Sequence, residues 1–67
     1  MWYLVIITVM FSSASGDYNP IIRGWYQYKT IEECVTARAI LGEIQSGHIG
    51  LFTEGNNAVC VYKDINL

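Results

Sequence analysis

The sequence predicts a small α+β domain: an antiparallel sheet of three or four strands with one helix packed on one of its faces. Three observations lead there. An apolar, β-branched run fills most of the first 16 residues, a helix start signal stands at Thr30, and β-type segments flank that helix in the order ββα followed by a strand or hairpin. With 67 residues the chain makes one domain at most, and a chain of this size buries only about 60% of the surface its unfolded form exposes. Its 52% apolar content nevertheless argues for folding rather than disorder.

Residues 1–16, MWYLVIITVMFSSASG, hold the first strand. Tyr3, Val5, Ile6, Ile7, Thr8, Val9 and Phe11 are β-branched or aromatic, types that fit a pleated surface better than a helix. A continuous apolar run of this length is typical of a strand buried on both faces. The same residues also read as a cleavable signal peptide, with Ala14 and Gly16 spaced for cleavage before Asp17, although no Lys or Arg precedes Arg23. A membrane-spanning helix is excluded, because spanning needs about 20 apolar residues and polarity begins at Ser12. Removal of the segment would leave too little chain for a core with one cysteine pair, so a retained strand is the preferred reading.

Residues 12–20 collect Ser, Gly, Asp, Asn and Pro, the chemistry of a loop or wide turn. Residues 21–28 form the second strand, with Ile21, Arg23, Trp25 and Gln27 expected on one face and Ile22, Gly24, Tyr26 and Tyr28 on the other. Gly24 marks a bulge or a close backbone approach. Thr30 and Glu33 have capping-box spacing, and Glu32 and Glu33 suit the positive end of a helix dipole. From residue 31 to residue 45, Cys34, Ala37, Leu41 and Ile44, joined by Ile31 and Ile40, make an apolar stripe at helical spacing. Thr36, Arg38, Glu43 and Gln45 are expected away from it. Gly42 weakens the last turn and Ser46-Gly47 ends the helix. Residues 49–53 and 58–64 flank the turn cluster Glu54-Gly55-Asn56-Asn57, which allows a closing hairpin with a weak first arm.

Cys34 and Cys60 are the only cysteines, too few and too far apart for a zinc ribbon or a C-x-x-C motif. They are either a disulfide or a pair of core thiols. A bridge would close a loop of about 27 residues, worth roughly 3.5 kcal/mol in the chain-entropy account. If the two cysteines meet, Ala58, Cys60 and Tyr62 face the helix while Val59 and Val61 point away. One helix covers one face of a sheet, so a second apolar face is left without cover. Trp25, Tyr26, Val59 and Val61 are accordingly the candidate interface residues, since aromatic side chains are favoured anchors in interfaces.

Catalytic chemistry is not visible. His48 is the sole histidine, and its spacing to Glu43 and Glu54 matches no metal motif. Cys34 and Cys60 sit at core-facing positions where a thiol is inert. Glu32 and Glu33, adjacent on a helix, point about 100° apart and cannot share a proton across a substrate. Gly47-His48-Ile49-Gly50 lacks the lysine and following helix of a phosphate loop. No catalytic residue, metal, cofactor or small-molecule substrate is therefore expected. Four scattered basic residues against six acidic ones speak against nucleic-acid binding.

Taken together, MWYLVII, Gly24-Trp25-Tyr26, Thr30-Ile31-Glu32-Glu33-Cys34 and Val59-Cys60-Val61-Tyr62-Lys63 resemble the short uncharacterised proteins encoded by marine bacteriophages. The resemblance implies a small phage-type accessory protein and brings no binding residue with it. Two readings follow. One is an intracellular module pairing with itself or with a larger protein through its sheet, and the other is an exported domain cleaved near Gly16 and stapled by its cysteines.

Overall fold

The computed structural model describes residues 1–64. Strand β1 (Trp2–Ser12) is central, with β2 (Asp17–Tyr28) and β3 (Asn56–Tyr62) antiparallel on either side of it, and helix α1 (Ile31–Ser46) lies on one face. The α+β class expected from the sequence is the observed one.

Alternation along β1 divides its side chains cleanly. Trp2, Leu4 and Ile6 point to the helix, while Tyr3, Val5, Ile7, Val9 and Phe11 point to the opposite, outer face. Leu4 pairs with Cys60 and Ile6 with Ala58, so that Leu4, Ala58 and Cys34 of the helix form the buried centre, with Trp2, Tyr28, Leu41 and Phe52 packed around it. β1 is thus covered on one face only, not on both. Among the described residues nothing forms a second layer over its apolar outer half.

Two expectations about β2 are corrected. Only residues 13–16 form the turn, closed by the Gly16 N–H donating to Ser12 O at 2.8 Å, and residues 17–20 continue the hairpin as strand. Pro20 is tolerated because β2 is an edge strand, where a missing N–H can face away from the ladder. The face assignment also changes. Ile6 pairs with Gly24 but Ile7 pairs with Ile22, which leaves Arg23 as an extra residue beside the glycine that marked a bulge. One extra residue reverses the alternation, so Ile22 joins Trp25 and Gln27 on the outer face, and Ile21 turns to the helix side.

Helix α1 begins at the Thr30 cap. Thr30 Oγ1 accepts from the Glu33 N–H at 3.2 Å and donates to Glu33 Oε1 at 3.1 Å, so the carboxylate closes on the hydroxyl instead of the cap's backbone N–H. The helix ends at Gly47, in the left-handed region at φ 83°, whose N–H donates to Glu43 O. The apolar stripe is narrower than its periodicity predicts. Ile31 and Ile40 are exposed and Ile44 is 76% exposed, whereas Arg38, expected outside, is half-buried. Gly42 takes the inward place, pressed against the backbone of Leu51.

No strand forms over residues 49–53, so the hairpin alternative gives way to a single closing strand. That segment instead lies along the helix, with the Gly50 N–H donating to Ala39 O at 3.1 Å. Ser46 Oγ stands 2.9 Å from Gly42 O and 2.8 Å from Leu51 O, with one proton to donate. Backbone contacts with the helix take the place of a ladder.

Candidate functional site

The bond between Cys34 and Cys60 decides between the two states of the cysteines: the pair is a disulfide joining the first turns of α1 to the middle of β3, with Cα atoms 6.1 Å apart. Both sulfurs are thereby consumed, and no thiol remains for nucleophilic chemistry. Ala58 faces the helix fully buried, and Val59 and Val61 lie on the opposite face, as the pairing of the cysteines requires.

Three of the four candidate interface residues come together. Val5 pairs with Trp25 on one side and Val59 on the other, giving a cross-strand row Trp25–Val5–Val59 in the middle of the outer face. The rows beside it are Gln27–Tyr3–Val61 and Ile22–Ile7–Asn57. Trp25 is 63% exposed, and Ile22, Val59 and Val61 are exposed with it. Tyr26 does not belong to this set. It pairs with Leu4 and so points to the helix side, where it flanks a groove shared with Tyr28, Ala37, Ile40 and Ile44.

Ile22 stands on the face opposite to the one that plain alternation along residues 21–28 predicts, and Tyr18, in a segment that reads as loop, joins Phe11 on the outer face. β3 pairs with β1 only as far as Thr8, so the β1–β2 hairpin projects beyond it as a two-stranded arm. On the outer face of this arm Phe11 and Tyr18 pair across the strands, rings tilted with centroids 5.2 Å apart, and both are more than half exposed. The signal that would have found them is the length of the alternating pattern once residues 17–20 are read as strand.

In the other half of the outer face lies a shallow hollow of about 430 Å³, reaching from Tyr3 and Val61 past Val5 and Trp25 to Ile22. Gln27 and Lys63 contribute its polar atoms, and Gln27 Nε2 donates to the Tyr3 hydroxyl at 3.0 Å. No outer-face partner in the ladder is charged: the acidic residues are at Asp17, on the helix, or in the segments around β3.

Each sheet edge is interrupted, by different means. On β3, Asn57 Oδ1 accepts from the Ala58 N–H at 2.8 Å and from Arg38 Nη2 at 3.0 Å, while Arg38 Nε donates to Ala58 O at 2.5 Å. The two side chains supply Ala58 with the acceptor and the donor that a neighbouring strand would offer. The Arg38 guanidinium also lies 5.0 Å from the centroid of the Phe52 ring, which explains its inward position. On β2, the bulge at Arg23 and the proline break the regular edge.

Among the described residues no group of three or more His, Cys, Asp or Glu side chains is placed to hold a metal ion, and no helix is long and apolar enough to cross a membrane. No known protein family, curated protein or solved structure matches this chain.

Proposed function

We propose that this protein is a small non-catalytic accessory module that works by binding another protein surface through the outer face of its sheet. The observation that carries this reading is the row Trp25–Val5–Val59 with Ile22 and Val61 beside it, an apolar sheet face uncovered by any element of the described chain. Domains are ordinarily built from layers that bury such faces against one another. Leaving a large apolar side chain in water forfeits about 1.5–3 kcal/mol relative to full burial, and several are left here. A phage-type accessory role fits this size and chemistry, and rests on the resemblance of the sequence segments alone.

The test is apolar-dye binding at nanomolar protein concentration, where association is suppressed. The wild type is expected to bind the dye, Trp25→Asp and Val59→Asp to lose most of that binding, and Ile49→Asp, on an exposed loop, to retain it. A wild type that binds no dye, or dye binding unaffected by the two sheet substitutions, would remove the outer face as the working surface.

A second reading, an exported domain, is favoured by the disulfide, since such bonds persist in oxidising compartments. Maturation near Gly16 would remove β1, with which both β2 and β3 pair. Intact mass separates the readings: a product beginning at Asp17 supports processing, and a product retaining Trp2 supports a module that keeps its central strand.

A further inference from the structure

We infer that the occupant of the outer face is a second copy of this chain, packed sheet to sheet about a two-fold axis that lies between the sheets over Ile7, so that the Phe11–Tyr18 knob of each copy fills the hollow of the other. Self-pairing rests on the outer face being the working surface, as proposed above, and adds the identity of the partner and the register.

The first support is area. The chain exposes 5059 Å² at a mass of 7.6 kDa, whereas a compact monomer of that mass exposes about 4,300 Å². The excess, about 750 Å², is close to the roughly 800 Å² per partner that a stable protein interface buries. Shape agrees: the Cα radius of gyration is 13.5 Å with extents of 39 × 36 × 11 Å, against about 11 Å for a compact domain of this length. The molecule is a slab lacking a layer.

The second support is self-complementarity. Phe11 lies four residues from Ile7 in one direction and Tyr3 four residues in the other, each about 14 Å along the strand. A two-fold axis parallel to the sheet and perpendicular to β1, about 5 Å outside the sheet over Ile7, therefore sets Phe11 of one copy over the partner copy's Tyr3 end, where the hollow lies. Knob and hollow on one patch are what an isologous interface requires. Sheets packed this way keep their strands within about 30° of each other at a spacing of about 10 Å.

Charge is compatible with the same partner. The chain carries a net charge of −2, but the paired positions of the outer face carry no charge and Lys63 alone brings a charge to the hollow, at its rim, so two copies meet there without direct repulsion and keep the acidic helix outward. An anionic lipid surface would gain no basic cluster from this face. Edge-to-edge pairing is opposed by the side-chain caps on Ala58 and by the bulge and proline of β2.

The test is sedimentation velocity and native mass measurement from 1 to 100 μM on wild type, Phe11→Asp, Trp25→Asp, Ile44→Asp and Ile49→Asp, with helical circular dichroism confirming that each variant is folded. The substituted side chains are all more than half exposed in the single copy. The wild type is expected to be a dimer, Phe11→Asp and Trp25→Asp to raise the dissociation constant at least tenfold, and Ile44→Asp and Ile49→Asp to leave it unchanged. A dimer that tolerates Phe11→Asp overturns the register, and one broken by Ile44→Asp but not by Trp25→Asp overturns the face. A wild-type monomer overturns self-pairing. If that monomer binds apolar dye through Trp25 and Val59, the proposed binding face stands with another occupant, and if it binds none, both fail. Binding of the monomer to phosphatidylglycerol vesicles would make a membrane the occupant and overturn self-pairing as well.

Discussion

Gly42 and Leu51 approach so closely that a Cβ on the glycine would fall 2.7 Å from the Leu51 carbonyl oxygen and 2.9 Å from its amide nitrogen. The last turns of α1 are thus shaped to receive the backbone of the following segment. Gly42→Ala would gain about 1 kcal/mol of helix propensity if the site were open. Here the added methyl displaces backbone, and overpacking of this kind costs about 1–3 kcal/mol. The urea midpoint of Gly42→Ala is expected to fall, and a rise would show that the Leu51 segment is not held against the helix.

The disulfide closes a span of 26 residues between the helix and β3, for which the chain-entropy account gives about 3.5 kcal/mol. Leu4 and Ala58, with Cys34 itself, are the only buried hydrophobic residues described, so this term is large beside the core it supports. The paired substitution Cys34→Ser with Cys60→Ser is expected to lose cooperative thermal unfolding in far-ultraviolet circular dichroism. An unchanged transition would show that the sheet and helix hold together without the bond.

Thr30→Ala removes the acceptor for the Glu33 N–H and is expected to destabilise by about 1 kcal/mol. Chemical denaturation measures it, with Thr30→Ser expected to restore most of the loss.

Arg38 and Asn57 together occupy the free edge of β3 at Ala58. Arg38→Ala is expected to cost about 1–2 kcal/mol through the lost hydrogen bonds, and to speed amide exchange at Ala58 by loosening Asn57. Arg38→Lys should not restore protection, because an ammonium cannot present two donors in the fixed geometry of a guanidinium. Slow Ala58 exchange in Arg38→Ala would mean that Asn57 alone closes this edge.

The order of elements, the helix cap at Thr30 and the inward faces of Cys34 and Cys60 were legible in the sequence, because each depends on local spacing. The exposed side of Val59 and Val61 followed from the cysteine face by alternation. Three things were not legible. Arg23 reverses the faces of β2, and a glycine signals a bulge without saying which residue is left unpaired. The inward turn of Arg38 depends on Phe52 and Ala58, which periodicity within the helix does not contain. The arm bearing Phe11 and Tyr18 was hidden by Ser, Gly, Asp, Asn and Pro, residues that favour turns but are tolerated in an edge strand.

Burial of the outer sheet face in the working state would be seen in hydroxyl-radical footprinting across protein concentration. Trp25, Phe11 and Tyr18 are 63%, 57% and 71% exposed in a single copy and should oxidise readily when dilute. As concentration rises into the micromolar range, all three are expected to become protected together, while Tyr26 and Ile44 on the helix side keep their dilute rates. Protection that appears at Tyr26 and Ile44, with Trp25 still oxidised at its dilute rate, would put the buried surface on the helix side and leave the outer face open.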